Sequence, residues 1–362
     1  MLWESQTLVI PAFNRLIQYK QTNGKTLTIY LKGDEKVKWA TTEDGYTILL
    51  NNKSVYEYAI QNMKGDLYPS GVAVNNIKER TSEEKELVSK IPKGLYYSKS
   101  QVSMLKSIWE IKSAEAQKAF PTTGNRKLIC LLIRFKDKAF TKTKSDFNNL
   151  FNQVGYNVGN ATGSVKDYYL ENSWSQFNLT VDVFGPYTAS QNMSYYGAND
   201  SYGNDQNPRT LVTEAVNAAD AAANFANYDN DGDGTVDGVY VIYAGYGEEA
   251  GARSNAIWAH AWNINPVTKD GKTVSRYSCS AELRGNSGTT ITSIGVICHE
   301  FGHVLGAPDY YDTDYSTGGQ FEGTGNWDIM ASGSWNNNGD TPAHHNAYTK
   351  VKIYGWASAT VL

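Results

Sequence analysis

Apolar and polar residues alternate with a period of two through "TLTIYLKGDEKVKWATTEDGYTILLNN", residues 26–52. That is the pattern of strands with one buried face. Turn chemistry interrupts it at Gly33-Asp34 and Asp44-Gly45, where a chain reverses readily. The stretch "SVYEYAIQNMKGDLYPSGVAV" (54–74) continues the alternation, so residues 1–78 are predicted to form a small antiparallel β-meander. The period then lengthens. Thr81 and Glu84 make a capping box that opens a short helix, and Pro92 closes it. Further on, Val102, Leu105, Ile108 and Trp109 fall on one helical face, extending the helical segment over 80–120. "PTTG" at 121–124 reads as a linker, placing a domain boundary near 122 and a second domain over 123–362.

The second domain opens on "RKLICLLIRFKD" (126–137), whose apolar run 128–133 has no alternation, as in a strand buried on both faces. "GSVKDYYLENSWSQFNLTVDVFGPY" (163–187) predicts a helix followed by a strand. "PRTLVTEAVNAADAAANFA" (208–226) is an Ala-rich helix, "GVYVIYAG" (238–245) a strand, and "TITSIGVICHEFGHVLG" (290–306) a further helix. Strands interleaved with helices predict a mixed α/β (α+β) domain, preceded by a mainly-β domain with a helical C-terminal part. No internal repeat is present.

Composition narrows this picture. A chain of 362 residues with a 41% hydrophobic fraction is long enough for two cores. No apolar run approaches a bilayer span and no charged-then-apolar leader opens the chain; a leader removed ahead of residue 1 is expected. The net charge of −4 is unevenly spread. Residues 1–120 carry 17 Lys+Arg against 13 Asp+Glu, the remainder 16 against 24. A basic first part and an acidic second part attract one another, as two docked partners would; two unrelated charge balances are an equal reading. No basic cluster suggests nucleic acid. Three cysteines, Cys130, Cys279 and Cys298, are no disulfide framework; buried thiols are favoured over a Cys279–Cys298 bridge. The abundance of Tyr (25) and Gly (32) with 19% charged residues suits an extracellular bacterial protein.

The chemistry lies in "CHEFGHVLGAPDYYD", 298–312. His299 and His303, one helical turn apart, project from one face and can meet one zinc ion. Glu300 stands beside them as a general base for a zinc-activated water. Ile294, Val296, Ile297, Val304 and Leu305 make this a buried helix, where two imidazoles without a ligand would be costly. Gly306 can end the helix in a left-handed conformation and Pro308 prevents its resumption. Asp309 is then the group placed to complete a site of two imidazoles and one carboxylate, with a fourth position open. Glu322, 19 residues after His303, is the rival ligand, but its "STGGQFEGTGN" context is too Gly-rich for a ligand-bearing helix. Separately, "DNDGDGTVD" sets Asp229, Asp231 and Asp233 at alternate positions with Asp237 beyond. That is the first half of an EF-hand-type loop without its final glutamate. A structural calcium ion is expected there, with a solvated acidic turn as the plainer alternative.

With "GNWDIMASGSW" and its Met330 turn downstream, the HExxHxxGxxD pattern resembles the metzincin clan of zinc peptidases. Within the clan it is most similar to the immune inhibitor A family of secreted bacterial metallopeptidases. "SVKDYYLENSWSQF", "DNDGDGTVDGVYVIYAGYGEE", "AIWAHAW", "HEFGHVLGAPDYYD" and "AYTKVKIYGW" carry the likeness in that order over residues 125–362, and 1–120 resemble the family's propeptide. The resemblance implies a metzincin-like catalytic domain with a zinc-binding helix, zinc on His299, His303 and Asp309, Glu300 as base, and Met330 beneath the metal. It also implies a secreted zymogen acting on proteins or peptides, its prosegment docked on its own catalytic domain. Ser332 stands where many metzincins have an oxyanion-stabilising tyrosine; Tyr348 and Tyr354 are alternatives. His344 and His345 are expected at the surface. A cysteine cannot block the metal, since none precedes Cys130. Asp34, Asp44 or Asp66 could reach it, or the segment could block sterically, with activation cleavage near Lys118 or Arg126. The competing function is a catalytically idle extracellular binding or adhesion module that keeps its metals for stability. Glu300, which a structural zinc site does not need, argues for the enzyme.

Overall fold

Two six-stranded sheets organise the chain in the computed structural model, which describes residues 8–107, 119–200, 203–315, 318 and 321–360. The first strand, β1 (Leu8–Val9), does not enter the expected meander and pairs instead with the other sheet. The meander consists of β2 (Leu16–Lys20), β3 (Thr26–Gly33), β4 (Lys38–Thr42), β5 (Thr47–Leu50), β6 (Tyr56–Gln61) and β7 (Leu67–Ala73), hydrogen-bonded in chain order. Each pairing is antiparallel. Its alternation is the physical cause of its core: Ile17, Tyr19, Leu27, Ile29, Ala40, Ile48 and Tyr58 all point inward. Helix α1 (Ser82–Val88) starts at the predicted capping box, in which Thr81 Oγ1 accepts from Glu84 N and Glu84 Oε2 from Thr81 N. Helix α2 (Lys99–Ser107) buries Val102 and Leu105; Ile108 and Trp109 lie outside the described residues.

The second half contains β8 (Gly124–Arg134), α3 (Lys144–Asn152), α4 (Val165–Asn172), β9 (Phe177–Thr188) and α5 (Met193–Gly197). It continues with α6 (Pro208–Ala219), β10 (Val239–Tyr246), β11 (His260–Lys269), β12 (Lys272–Leu283) and α7 (Ile294–Val304). Its sheet runs β1-β11-β12-β10-β8-β9. Strands β12, β10, β8 and β9 are mutually parallel, β11 runs antiparallel to β12, and β1 runs antiparallel to β11, so the sheet is mixed. The run 128–133 is buried on both faces, as its unbroken apolar character requires. Leu128, Cys130 and Leu132 pack with α3, α4 and α7. Ile129, Leu131 and Ile133 pack with α6. All three cysteines are buried and free.

The two sheets do not keep separate cores. Ile17, Leu27, Ile29 and Leu31 of the meander share one apolar cluster with Trp258, Ala259, Val296 and Trp335. That shared cluster lies against the second half where β11 and α7 meet.

Candidate metal centre and active site

All eleven residues of α7 are buried, so its polar side chains must find partners within the fold. His299 Nδ1 lies 2.7 Å from the Ile329 carbonyl and His303 Nδ1 2.8 Å from the Ala307 carbonyl. A carbonyl only accepts, so both Nδ1 atoms carry the proton and both Nε2 atoms present lone pairs. Those lone pairs face each other at 3.1 Å, an arrangement that repels unless a cation stands between them. Asp309 Oδ1 lies 3.3 Å from each Nε2, and neither Asp309 oxygen has a hydrogen-bond partner. Three ligands about 2.0–2.1 Å from a common tetrahedral centre stand roughly 3.3 Å apart, so the donor set and its spacing fit zinc.

Asp309 arrives there because the helix stops. Gly306 takes φ +101°, its N–H donating to the His303 carbonyl and that of Ala307 to Gly302, which turns the chain back as Gly306 and Pro308 predict. Tyr310 N then donates to the Met330 carbonyl, tying the Asp309 loop to the Met330 turn. Met330 is wholly buried directly against α7. A Cβ on Gly302 would lie 2.8 Å from Met330 Sδ and 3.1 Å from His345 Cε1, so the glycine inside the motif lets that sulfur approach. Glu322 sits exposed in its loop, apart from the three-membered group. His344 is exposed as expected, but His345 is not a surface residue. It is buried against Tyr169, Tyr354 and Trp356, with no hydrogen-bond partner for either ring nitrogen. Tyr354 spends its hydroxyl on the Gly302 carbonyl, and Tyr348 is mostly exposed.

Glu300 has a partner no pattern in the sequence announced. Strand β1 lies antiparallel on the edge of β11, with Leu8 opposite Ala261 and Val9 opposite His260. The next residue, Ile10, donates its N–H to Glu300 Oε1 at 2.9 Å, leaving Oε2 without a partner. The Ile10 and Pro11 carbonyls accept from the indole N–H groups of Trp258 and Trp335, each at 2.9 Å. Burial, and then the nearby Asp309 carboxylate, push Glu300 well above the ordinary glutamate range. Of the aspartates Asp34, Asp44 and Asp66, Asp44 pairs with Arg80 and Asp66 with Ser98, both within the first part of the chain. Asp34 alone crosses to the second half, accepting from Tyr311 Oη at 2.9 Å and from Tyr315 Oη. Lys118 lies outside the described residues, and Arg126 is inside β8, so a cut after it would fall within a central strand.

Asp229, Asp231 and Asp233 bring ligand oxygens within 4.8 Å of one another. Asp237 is not in that group; its Oδ2 accepts from Asn230 N and Nδ2. Asp229 is already bonded to Lys272 at 2.7 Å and to three backbone amides.

Residues 124–357 match the family described as immune inhibitor A peptidase M6, catalytic domain. The chain is 35% identical over 214 residues to the pre-pro-metalloprotease PrtV of Vibrio cholerae serotype O1, covering 51% of this chain and 23% of that protein. It is 30% identical over 209 residues to immune inhibitor A of Bacillus thuringiensis subsp. alesti, covering 49% of this chain and 29% of that one. The aligned region thus spans about a quarter of each of these relatives. Since the family match extends over α7, the Asp309 loop and the Met330 turn together, the chain belongs to the immune inhibitor A family of M6 peptidases.

Proposed function

We propose that the chain is a secreted zinc-dependent endopeptidase, with a metzincin-like catalytic domain over residues 123–362 and a docked prosegment over 1–122. Its metal is held by His299, His303 and Asp309, and Glu300 is the general base. The observation that carries this reading is the convergence of two unprotonated Nε2 atoms and an unpartnered carboxylate, 3.1–3.3 Å apart, beside a glutamate that already touches an extended chain.

When bound, zinc supplies Lewis-acid activation of a water and of the scissile carbonyl. The residues of the chain do the rest. The Nδ1–carbonyl bonds fix both imidazole tautomers and orientations. Glu300 takes a proton from the attacking water and returns it to the leaving amine, the two transfers that peptide hydrolysis requires. Met330 packs beneath the helix and holds the histidine face in place. A substrate lying where β1 lies would add a strand to the β11 edge, with the Trp258 and Trp335 indoles as donors to its carbonyls. The prosegment occupies that position in the intact chain and engages the base itself, so latency by steric occupation is favoured over a metal-blocking aspartate. The Asp229–Asp233 loop is proposed to take a structural calcium ion in place of the Lys272 ammonium.

The test is metal stoichiometry. Wild-type and Glu300→Ala chains should each retain one equivalent of zinc after dialysis, and His303→Ala should retain little. Equal retention by all three would place the metal elsewhere.

A further inference from the structure

The turn between β3 and β4, "GDEKVK" at 33–38, reads as a solvated hairpin tip, yet it is inserted into the second half. Lys38 Nζ lies 2.6 Å from Glu248 Oε2, 2.9 Å from Glu35 Oε2 and 3.3 Å from Asn199 Oδ1. It also stands 5.2 Å from the centroid of the Trp258 ring, within cation–π range. The receiving walls belong to the second half; Glu35 Oε1 accepts from Asp205 N at 2.8 Å, and the wall side chains have partners of their own within that half. Asn199 Nδ2 donates to Glu248 Oε1 at 2.9 Å, and Trp258 N donates to Asp205 Oδ2 at 2.9 Å. Asp205, only 7% exposed, keeps its other oxygen, Oδ1, without a hydrogen bond among the described residues even with the lysine in place. Oxygens of Glu35, Asp205 and Glu248 all lie within 4.8 Å of one another.

Trp258 connects this pocket to the cleft. Its indole N–H holds the Ile10 carbonyl while Ile10 N–H rests on Glu300, and the same ring forms a wall for the Lys38 ammonium. We propose that the second half carries a subsite for a cationic side chain of an extended polypeptide substrate, walled by Glu248, Asp205, Asn199 and Trp258 and filled here by Lys38 as a built-in stand-in. This rests on the peptidase reading above. When residues 33–38 withdraw, Lys38 and Glu35 leave together. Two carboxylates then remain, each with a partner of its own, Asn199 for Glu248 and Trp258 N for Asp205, beside an aromatic face and with no cation. A lysine or arginine of the substrate restores the missing charge, whereas a neutral side chain leaves both carboxylates desolvated and uncompensated.

Two measurements test this. In the full-length chain, Lys38→Ala should lower the melting temperature. Millimolar n-propylammonium, the side-chain fragment removed, should restore it where n-propanol and sodium do not; equal effects of all three would overturn the pocket whatever the enzyme does. Lys38→Met, whose side chain still fills the space, should lower the melting temperature without that rescue. In the trypsin-processed chain, peptides differing only by Lys or Met at successive positions should show one position where Lys raises kcat/KM about 10- to 150-fold, the range expected of hydrogen bonds to a charged group. The Lys/Met ratio at that position should collapse toward one in Glu248→Gln and fall partway in Asp205→Asn. If casein and every peptide stay intact, the peptidase reading fails. If they are cleaved with a flat Lys/Met ratio throughout, this proposal alone fails.

Discussion

Ile10 is where the first part of the chain touches the chemistry, and two substitutions separate its backbone from its side chain. Ile10→Val and Ile10→Pro have the same number of side-chain carbons, so each loses about one buried methylene, costing roughly 1 kcal/mol. Proline in addition removes the N–H that donates to Glu300 Oε1 at 2.9 Å. Residue 10 precedes Pro11, a position that favours the extended region, which a proline accepts. A hydrogen bond to a charged group contributes about 1.5–3 kcal/mol, and its loss leaves a buried carboxylate with neither oxygen bonded. The Pro chain should therefore leave the β11 edge about 10- to 150-fold more often than the Val chain. Tryptic cleavage after the exposed Arg15 reports this directly, because slow cleavage tracks the population of the open form. A Pro/Val ratio of cleavage rates within twofold of one would refute the reasoning, since Ile10 N–H would then contribute nothing to holding the strand.

Three further outcomes follow from the packing and the charges. Gly295→Ala would set a Cβ 2.1 Å from the Ser334 carbonyl oxygen and 3.0 Å from Gly339 Cα; backbone cannot give way, so urea unfolding should show a loss of about 3 kcal/mol where an exposed helix would gain about 1. Burial pushes the Glu249 carboxyl up from 4.5 to about 7. Because the folded value is the higher one, its stabilisation is complete below about pH 4.5 and is lost as pH rises through about 7, up to about 3 kcal/mol in all; Glu249→Gln should flatten that decline in a melting-temperature series. Calcium at about 100-fold over its Kd should stabilise the chain by about 2.7 kcal/mol. The rise should vanish in Asp231→Asn/Asp233→Asn, and its absence in the wild type would leave the loop a plain acidic turn.

What could be read from the sequence was local. The alternation over 26–52 encodes the meander, Thr81 and Glu84 cap α1, and Gly306 ends α7 because only short-range sterics and hydrogen bonds are involved. The encounter of Asp309 with the two imidazoles follows from that same helix stop. What could not be read was long-range. Two residues, Leu8 and Val9, carry no periodicity, and nothing near them specifies that their partner is the β11 edge more than 250 positions away. The 33–38 turn looks solvated because four of its residues are charged, and only the carboxylates and tyrosines of the second half explain its burial. His345, flanked by polar neighbours in "AHHNAY", is enclosed by Tyr169, Tyr354 and Trp356 from distant elements. Gly302 likewise has a long-range reason, since a Cβ there would lie 2.8 Å from the sulfur that the Met330 turn contributes.

The most direct test of the central claim is casein hydrolysis by the purified chain before and after limited trypsin treatment, with Glu300→Ala in parallel. Little activity is expected in the intact chain, strong activity after trimming, and none in the trimmed Glu300→Ala protein despite a full equivalent of zinc. Hydrolysis by the trimmed Glu300→Ala chain at the wild-type rate would contradict the assignment of Glu300 as base, and a zinc-loaded wild-type chain that cleaves nothing after trimming would contradict the peptidase itself.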